Sequence, residues 1–211
     1  MSTRCLVVLL RPAGWAPPGV PVEDWRRALA EDVVDLASGL AQVDVAIGAA
    51  AADLPLADAI RWPTMPVYEL PRARPVDALT AAERAGYEQA AVLAPDVPDL
   101  PGLLVGKLFR PLTSRRVAAA PALPERAGLV GLAVGLPVPE WLARADPDLD
   151  GTDQGGLRAA GRTASGAEPH GDVAACPGWH RLRTAADLAR LDEGLEGWEN
   201  TRALLSAGSL R

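Results

Sequence analysis

Two aspartates three residues apart, Asp96 and Asp99, close the apolar run Ala91-Val92-Leu93-Ala94 and precede an amphipathic segment opened by Pro101. An apolar run that ends in acids reads as a buried strand delivering carboxylates from its carboxyl end. In open α/β sheets, ligands bind in the crevice at that end. Two carboxylates this close repel unless a cation or hydrogen-bond donors neutralise them. A hard divalent ion such as Mg²⁺ or Mn²⁺ prefers one or two carboxylates together with phosphate oxygens, and there it stabilises a leaving diphosphate. Asp96 and Asp99 are therefore the candidate catalytic pair, with Asp96 the candidate metal ligand. Both also suit structural roles, Asp99 capping the following helix and Asp96 holding a turn through its own backbone.

The loop Arg11–Pro21 follows the first apolar run and belongs at the same sheet end. Arg11 can neutralise a phosphate, and Gly14 and Gly19 let backbone approach one. These three are the candidate nucleotide-binding residues, with the Arg26-Arg27 pair as a further phosphate contact. The spacing matches neither the P-loop nor the Gly-x-Gly-x-x-Gly fingerprint. Pro12, Pro17, Pro18 and Pro21 remove amide donors that a phosphate cradle uses, which favours a structural loop.

The remaining reactive residues form no recognisable constellation. His170 sits in a loose stretch and reads as solvated. His180, beside Trp179, has no identifiable partner carboxylate and suits packing or a capping contact. No nucleophile elbow and no zinc spacing occur. Arg181 and Arg183 alternate with Leu182 and share one strand face, which is either solvent-facing or a phosphate-facing wall. Trp179 and Trp198 either stack on a base or pack the last helix onto the sheet.

The elements that must position these residues follow from hydrophobic patterning. Strands are expected at Cys5–Leu10, Val43–Ile47, Pro66–Leu70, Gln89–Ala94, Arg116–Ala120 and Leu129–Val134, with an edge strand over Gly178–Leu182. Helices are expected at Glu23–Leu40, Asp53–Ile60, Asp77–Glu88 and Leu100–Leu112, with a short one within Pro137–Ala145 and two more at Ala185–Leu191 and Leu195–Leu205. Thr184-Ala-Ala-Asp187 has the form of a capping box with Asp in place of Glu. The stretch 146–177 lacks periodicity and is expected to be a long, flexible surface loop, partly disordered or with a short helix. Strands alternating with helices imply crossover connections, hence a three-layer αβα sandwich around a mainly parallel sheet.

Composition bounds the class. A chain of 211 residues fits one domain over 1–211. Aromatics are 4% of it, so Leu, Val and Ala must fill the core. Net charge −6 argues against a nucleic-acid partner. No apolar run is long enough to span a membrane. The start has too short an apolar core for a secretory leader, and two distant cysteines make no disulfide framework. A cytoplasmic protein is expected, with Cys5 a small buried hydrophobe.

Three segments carry a family resemblance. Ala94-Pro-Asp96-Val-Pro98-Asp99-Leu-Pro101 is similar to the Asp-x-Pro-x-Leu-Pro segment of a bacterial glycosyltransferase-like family within the nucleotide-diphospho-sugar transferase superfamily. Gly128-Leu-Val-Gly-Leu132 resembles its later Gly-Gly strand, and Thr184-Ala-Ala-Asp187-Leu188 resembles its closing Asp-Thr-Pro-Glu-Asp-Leu. The resemblance implies the glycosyltransferase A-type αβα fold, a nucleotide near the first loop, and a metal on Asp96. Departures are clear. Only Arg11-Pro12 and Pro18-Gly19 echo the family's Lys-x-Pro-x-Pro-Gly-x-x-Lys-Thr-Arg-Leu loop. Glu125-Arg126-Ala127-Gly128 replaces the acid before the glycine pair, and Arg183 or a neighbour stands where an aspartate is expected. The expectation is a metal-assisted nucleotidyl or nucleotide-sugar transferase, in degenerate form. The alternative is a non-catalytic binding or interaction module, such as a homodimer, on the same fold.

Overall fold

The computed structural model describes residues 3–124, 128–165 and 172–208. In chain order the elements are β1 (Arg4–Leu9), α1 (Val22–Ser38), β2 (Asp44–Ala50), α2 (Leu54–Ile60), β3 (Val67–Leu70), α3 (Pro75–Arg84), β4 (Gln89–Leu93), α4 (Gly102–Phe109), β5 (Val117–Leu123), β6 (Leu129–Gly135), α5 (Glu140–Ala145), α6 (Gln154–Ser165), β7 (Val173–Ala175), β8 (Trp179–His180) and α7 (Glu199–Gly208). The sheet order is β3-β2-β1-β4-β6-β5-β7, with β8 paired to β5. Strands β1, β2, β3 and β4 pair in parallel, as do β5 with β7 and β5 with β8, whereas β6 runs antiparallel to both neighbours. This is the mainly parallel sheet flanked by helices that the alternating pattern predicts.

The site's location follows from connectivity. From β1 the chain winds outward to β2 and β3, then returns to β4 on the other side of β1. Right-handed crossovers then place α1 and α2 on one face and α3 on the other. The strand order reverses between β1 and β4, and such a switch point opens a crevice outside the strands' carboxyl ends.

The strands at that point are buried on both faces, which explains their unbroken apolar runs. Cys5 through Leu9 and Ala90 through Leu93 are wholly inaccessible. Small residues let large ones interlock: a Cβ at Gly131 of β6 would lie 2.7 Å from a Leu108 methyl on α4. A second, smaller core of Trp25, Leu29 and Leu182 joins α1 to the chain after β8, with Trp15, Leu188, Leu191, Leu204 and Leu205 packed around it.

Several expected boundaries shift: the helix placed at Asp77–Glu88 is Pro75–Arg84, that at Leu100–Leu112 is Gly102–Phe109, and the edge strand at Gly178–Leu182 is Trp179–His180. The helix placed at Ala185–Leu191 is a 3-10 turn over Ala185–Arg190, started by the Thr184–Asp187 capping box, and the last helix begins only at Glu199. The stretch 146–177 carries α6, in line with the helix allowed for there, and also β7, which its pattern does not announce. Three glycines weaken the helical signal of α6. Gly161 is required there, because a Cβ would lie 2.8 Å from a Val173 methyl and 3.4 Å from Trp141. His170 and Glu125-Arg126-Ala127 lie outside the described residues. Among the described residues no helix is long and apolar enough to cross a membrane.

Candidate functional site

The crevice at the switch point has a volume of about 260 Å³. One wall is the loop after β1, with Arg11, Gly14 and Trp15. A second is α1, through Arg26 and Leu29. The exit of β4 supplies Pro95 and Asp96, and the chain after β8 supplies Arg181, Leu182 and Arg183. Asp150 completes the lining. Four arginines thus face two aspartates in a chain whose net charge is −6.

Asp96 lies at the expected strand exit, but its carboxylate is engaged. Arg181 Nε donates to Oδ1 at 2.6 Å and Nη2 to Oδ2 at 2.9 Å. Arg181 Nη1 donates to the carbonyls of Leu129 at 3.2 Å and Leu149 at 2.9 Å. Its Nη2 also lies 2.8 Å from Asp150 Oδ1. All five guanidinium N–H groups therefore have oxygen partners, on a side chain that is almost inaccessible. Burial opposes its charge, but Asp96 and then Asp150 outweigh burial and hold the guanidinium pKa above its ordinary value. The local fold enforces this placement. Strand β5 shifts register between Ala120 and Pro121, where proline interrupts the ladder. The strand then pairs with β7 before the shift and β8 after it. Strand β8 leads directly to Arg181, and Leu182 N–H donates to the Asp96 carbonyl at 2.9 Å.

Arg11 and Arg26 are anchored across the crevice. Arg26 Nε donates to the Arg11 carbonyl at 2.7 Å, and its Nη2 lies 2.6 Å from Asp53. Arg11 contacts Asp148 at 3.1 Å and Asp150 at 2.8 Å. Arg27, the other half of the expected pair, turns outward to Glu31. Gly14 lines the crevice, whereas Gly19 does not; its φ of +81° serves the turn into α1. Asp150 bridges Arg11 and Arg181 with its two oxygens while its side chain stays 46% exposed. Behind it, Asp146 and Asp148 engage Arg72, Arg74 and Arg11. Burial pushes both carboxyls up, but these arginines, and for Asp148 also the Asp150 N–H, hold them below the usual carboxylate range.

Asp99 does not reach the crevice. It is 1% exposed and ties the β4–α4 turn to the C-terminal segment. Oδ1 accepts from Trp179 Nε1 at 3.1 Å and lies 2.9 Å from His180 Nε2, and Oδ2 accepts from Asp192 N–H at 3.1 Å. Burial pushes its pKa up, yet His180, Trp179 and the Asp192 amide outweigh burial and hold it below the ordinary carboxylate value. His180 thus has the carboxylate partner that its sequence neighbourhood concealed. Trp179 packs against His180, with ring centroids 5.0 Å apart, and Trp198 is buried beneath Arg202. Neither tryptophan lines the crevice.

Sequence reasoning missed Asp146, Asp148 and Asp150. Their only signal is the alternating acidic run Asp146-Pro-Asp-Leu-Asp-Gly151, which needs arginines from remote segments to have meaning.

The residues present do not fit a resident Mg²⁺ or Mn²⁺ on Asp96. Both of its oxygens hold a fixed guanidinium. A cation about 4 Å from Arg181 would be repelled by roughly 4 kcal/mol per unit charge at an effective dielectric near 20. Among the described residues no three His, Cys, Asp or Glu side chains converge on one point.

No protein-family model matches the sequence, and no curated protein does. Solved structures do match across nearly the whole chain. One is a protein from Desulfovibrio desulfuricans G20 named as a nucleotide-diphospho-sugar transferase, with TM-score 0.66 and 18% identity over 100% of this chain and 98% of that one. Another is a CMP:2-keto-3-deoxy-manno-octonic acid synthetase complexed with CTP, with TM-score 0.60 and 12% identity over 98% and 99% of the two chains. A third is glucosyl-3-phosphoglycerate synthase from Mycobacterium tuberculosis with Mn²⁺, UDP and phosphoglyceric acid, with TM-score 0.55 and 16% identity over 98% and 78%. The strand order, the β1–β4 switch point and these likenesses together give the chain the fold of the nucleotide-diphospho-sugar transferases.

Proposed function

We propose that the crevice binds the phosphate-bearing part of a nucleotide or nucleotide sugar, and that the chain is a nucleotidyl or glycosyl transferase. The observation that carries this reading is the concentration of Arg11, Arg26, Arg181 and Arg183 at the switch point of an acidic protein. Fixed guanidinium groups in a partly enclosed crevice stabilise charge that develops on a leaving diphosphate. Trp15 offers a ring on which a base can stack. The volume is slightly below the roughly 300 Å³ at which whole small-molecule sites begin. The crevice thus suits the nucleotide's phosphates and ribose, leaving the transferred group near the surface. Asp99 acts here as a positioning residue. The CTP and the UDP with Mn²⁺ held by two neighbours decide which probes to use first.

Thermal shift with CTP, UTP, CDP, UDP and UDP-glucose tests the reading. Ligand at about a hundred times Kd adds roughly 2.7 kcal/mol, a shift of about 5 °C or more for a chain of this size. Arg11→Ala should reduce that shift. No shift with any of these nucleotides would contradict the proposal.

The locked Asp96–Arg181 pair favours a second reading, a binding module without turnover. Release of pyrophosphate or nucleoside diphosphate by the pure protein with an acceptor pool would exclude it. Binding without release, or a homodimer by light scattering whose interface covers the crevice, would support it.

A further inference from the structure

We propose that Arg181 is the built-in cation of this crevice, so that a nucleoside diphosphate binds without a divalent metal. The inference rests on the nucleotide reading above. Arg181 is surrounded by oxygens as a bound ion would be: two from Asp96, one from Asp150 and two backbone carbonyls. The carbonyls belong to β6 and to the segment before α6, so the charge is fixed by backbone as well as by side chains. Removing one partner of such a buried pair leaves the other charge stranded out of water, which keeps Arg181 in place when ligand arrives.

Only one of its partners is exchangeable. Asp150 is half-exposed on the crevice wall and spans Arg181 Nη2 and Arg11 Nη2, each at 2.8 Å. Two oxygens of a phosphate can take the same bridge. The phosphate then meets the two guanidinium N–H groups that Asp150 gives up, while Asp96 stays on Arg181 and Asp148 stays on Arg11.

Calorimetric titration of the whole chain with UDP and CDP, once in EDTA and once in MnCl₂, tests this. The two affinities should agree within about threefold, a difference under 1 kcal/mol. Asp96→Asn, which removes the carboxylate and keeps the side chain's shape, serves as the control for a metal on Asp96. Binding that is tenfold or more tighter in MnCl₂, with the gain lost in Asp96→Asn, would overturn the inference and leave the nucleotide reading standing. Absence of binding in both buffers would overturn both. Mn²⁺ alone, followed by its paramagnetic resonance signal, should show no stoichiometric site. A site that Asp96→Asn abolishes would overturn the inference.

Discussion

At the residue scale, the crevice is governed by which carboxylate each arginine holds. Asp96 and Asp150 share Arg181 but differ in what releasing them costs. Asp96 meets it through two hydrogen bonds beside buried backbone, whereas Asp150 has one contact to each of two arginines and faces solvent. Asp150→Asn should therefore tighten nucleotide binding by about three- to tenfold, on the order of 1 kcal/mol, with little change in the unliganded melting temperature. Unchanged or weaker binding by calorimetry would show that Asp150 does not occupy the anion position.

Asp99 makes a different prediction. Its folded-state pKa is lowered, so its contribution to stability is present above the unfolded value and disappears as pH falls through the folded one. Urea midpoints of the wild type should fall between about pH 5 and pH 2, and the fall should be shallower in Asp99→Asn. Asp146 and Asp148 act with the same sign, so the slope decreases without vanishing. An acid limb identical in wild type and variant would refute the assignment.

At the scale of elements, the site depends on how the segment before α6 lies against β6. Leu149 O accepts from Leu129 N–H at 2.7 Å and from Arg181 at 2.9 Å. Gly128 permits that approach: its φ is +91°, and a Cβ there would lie 2.5 Å from Leu149 O. Gly128→Ala should push the segment away, lowering stability by about 1–3 kcal/mol and weakening nucleotide binding at least threefold. A melting temperature and affinity equal to wild type would contradict this.

These elements also show what the sequence could reveal. Strands β1 and β4, buried on both faces, announce themselves as apolar runs, so the crevice and its residues Asp96, Arg11, Gly14 and Arg26 were legible. Arg181 and Arg183 both line the crevice, but the strand ends at His180 and Leu182 lines it with them, so strand alternation is not what places them. Their partners were not legible. Neither Asp96 with Arg181 nor Asp99 with His180 can be inferred from residues more than 80 positions apart, because the pairing is made by β8 joining the far end of β5 and by the chain after it reaching the exit of β4. Segment 146–177 left room for no more than a short helix, for a similar reason. Its glycines weaken local helix preference, and contact with Trp141 and Val173 overrides that preference.

At the scale of the whole molecule, a chain of net charge −6 carries an arginine-lined crevice. Binding of a polyphosphate should weaken as salt rises, since the Debye length falls from about 10 Å at 0.1 M to about 3 Å at 1 M. Arg181, being buried, is screened least, so a residual affinity should persist at high salt. The C-terminal segment takes part too: Asp32 of α1 accepts from the Asn200 and Thr201 amides, at 3.0 and 2.9 Å, and pins α7 to the helix that carries Arg26.

The most direct measurement is a crystal structure of the chain with a nucleoside diphosphate and Mn²⁺ both supplied. The account expects the phosphates against Arg11 and Arg181, Asp150 turned away, and the Asp96–Arg181 pair intact with no metal on Asp96. A nucleotide seated outside the crevice, or a manganese ion on Asp96 with Arg181 displaced, would contradict it.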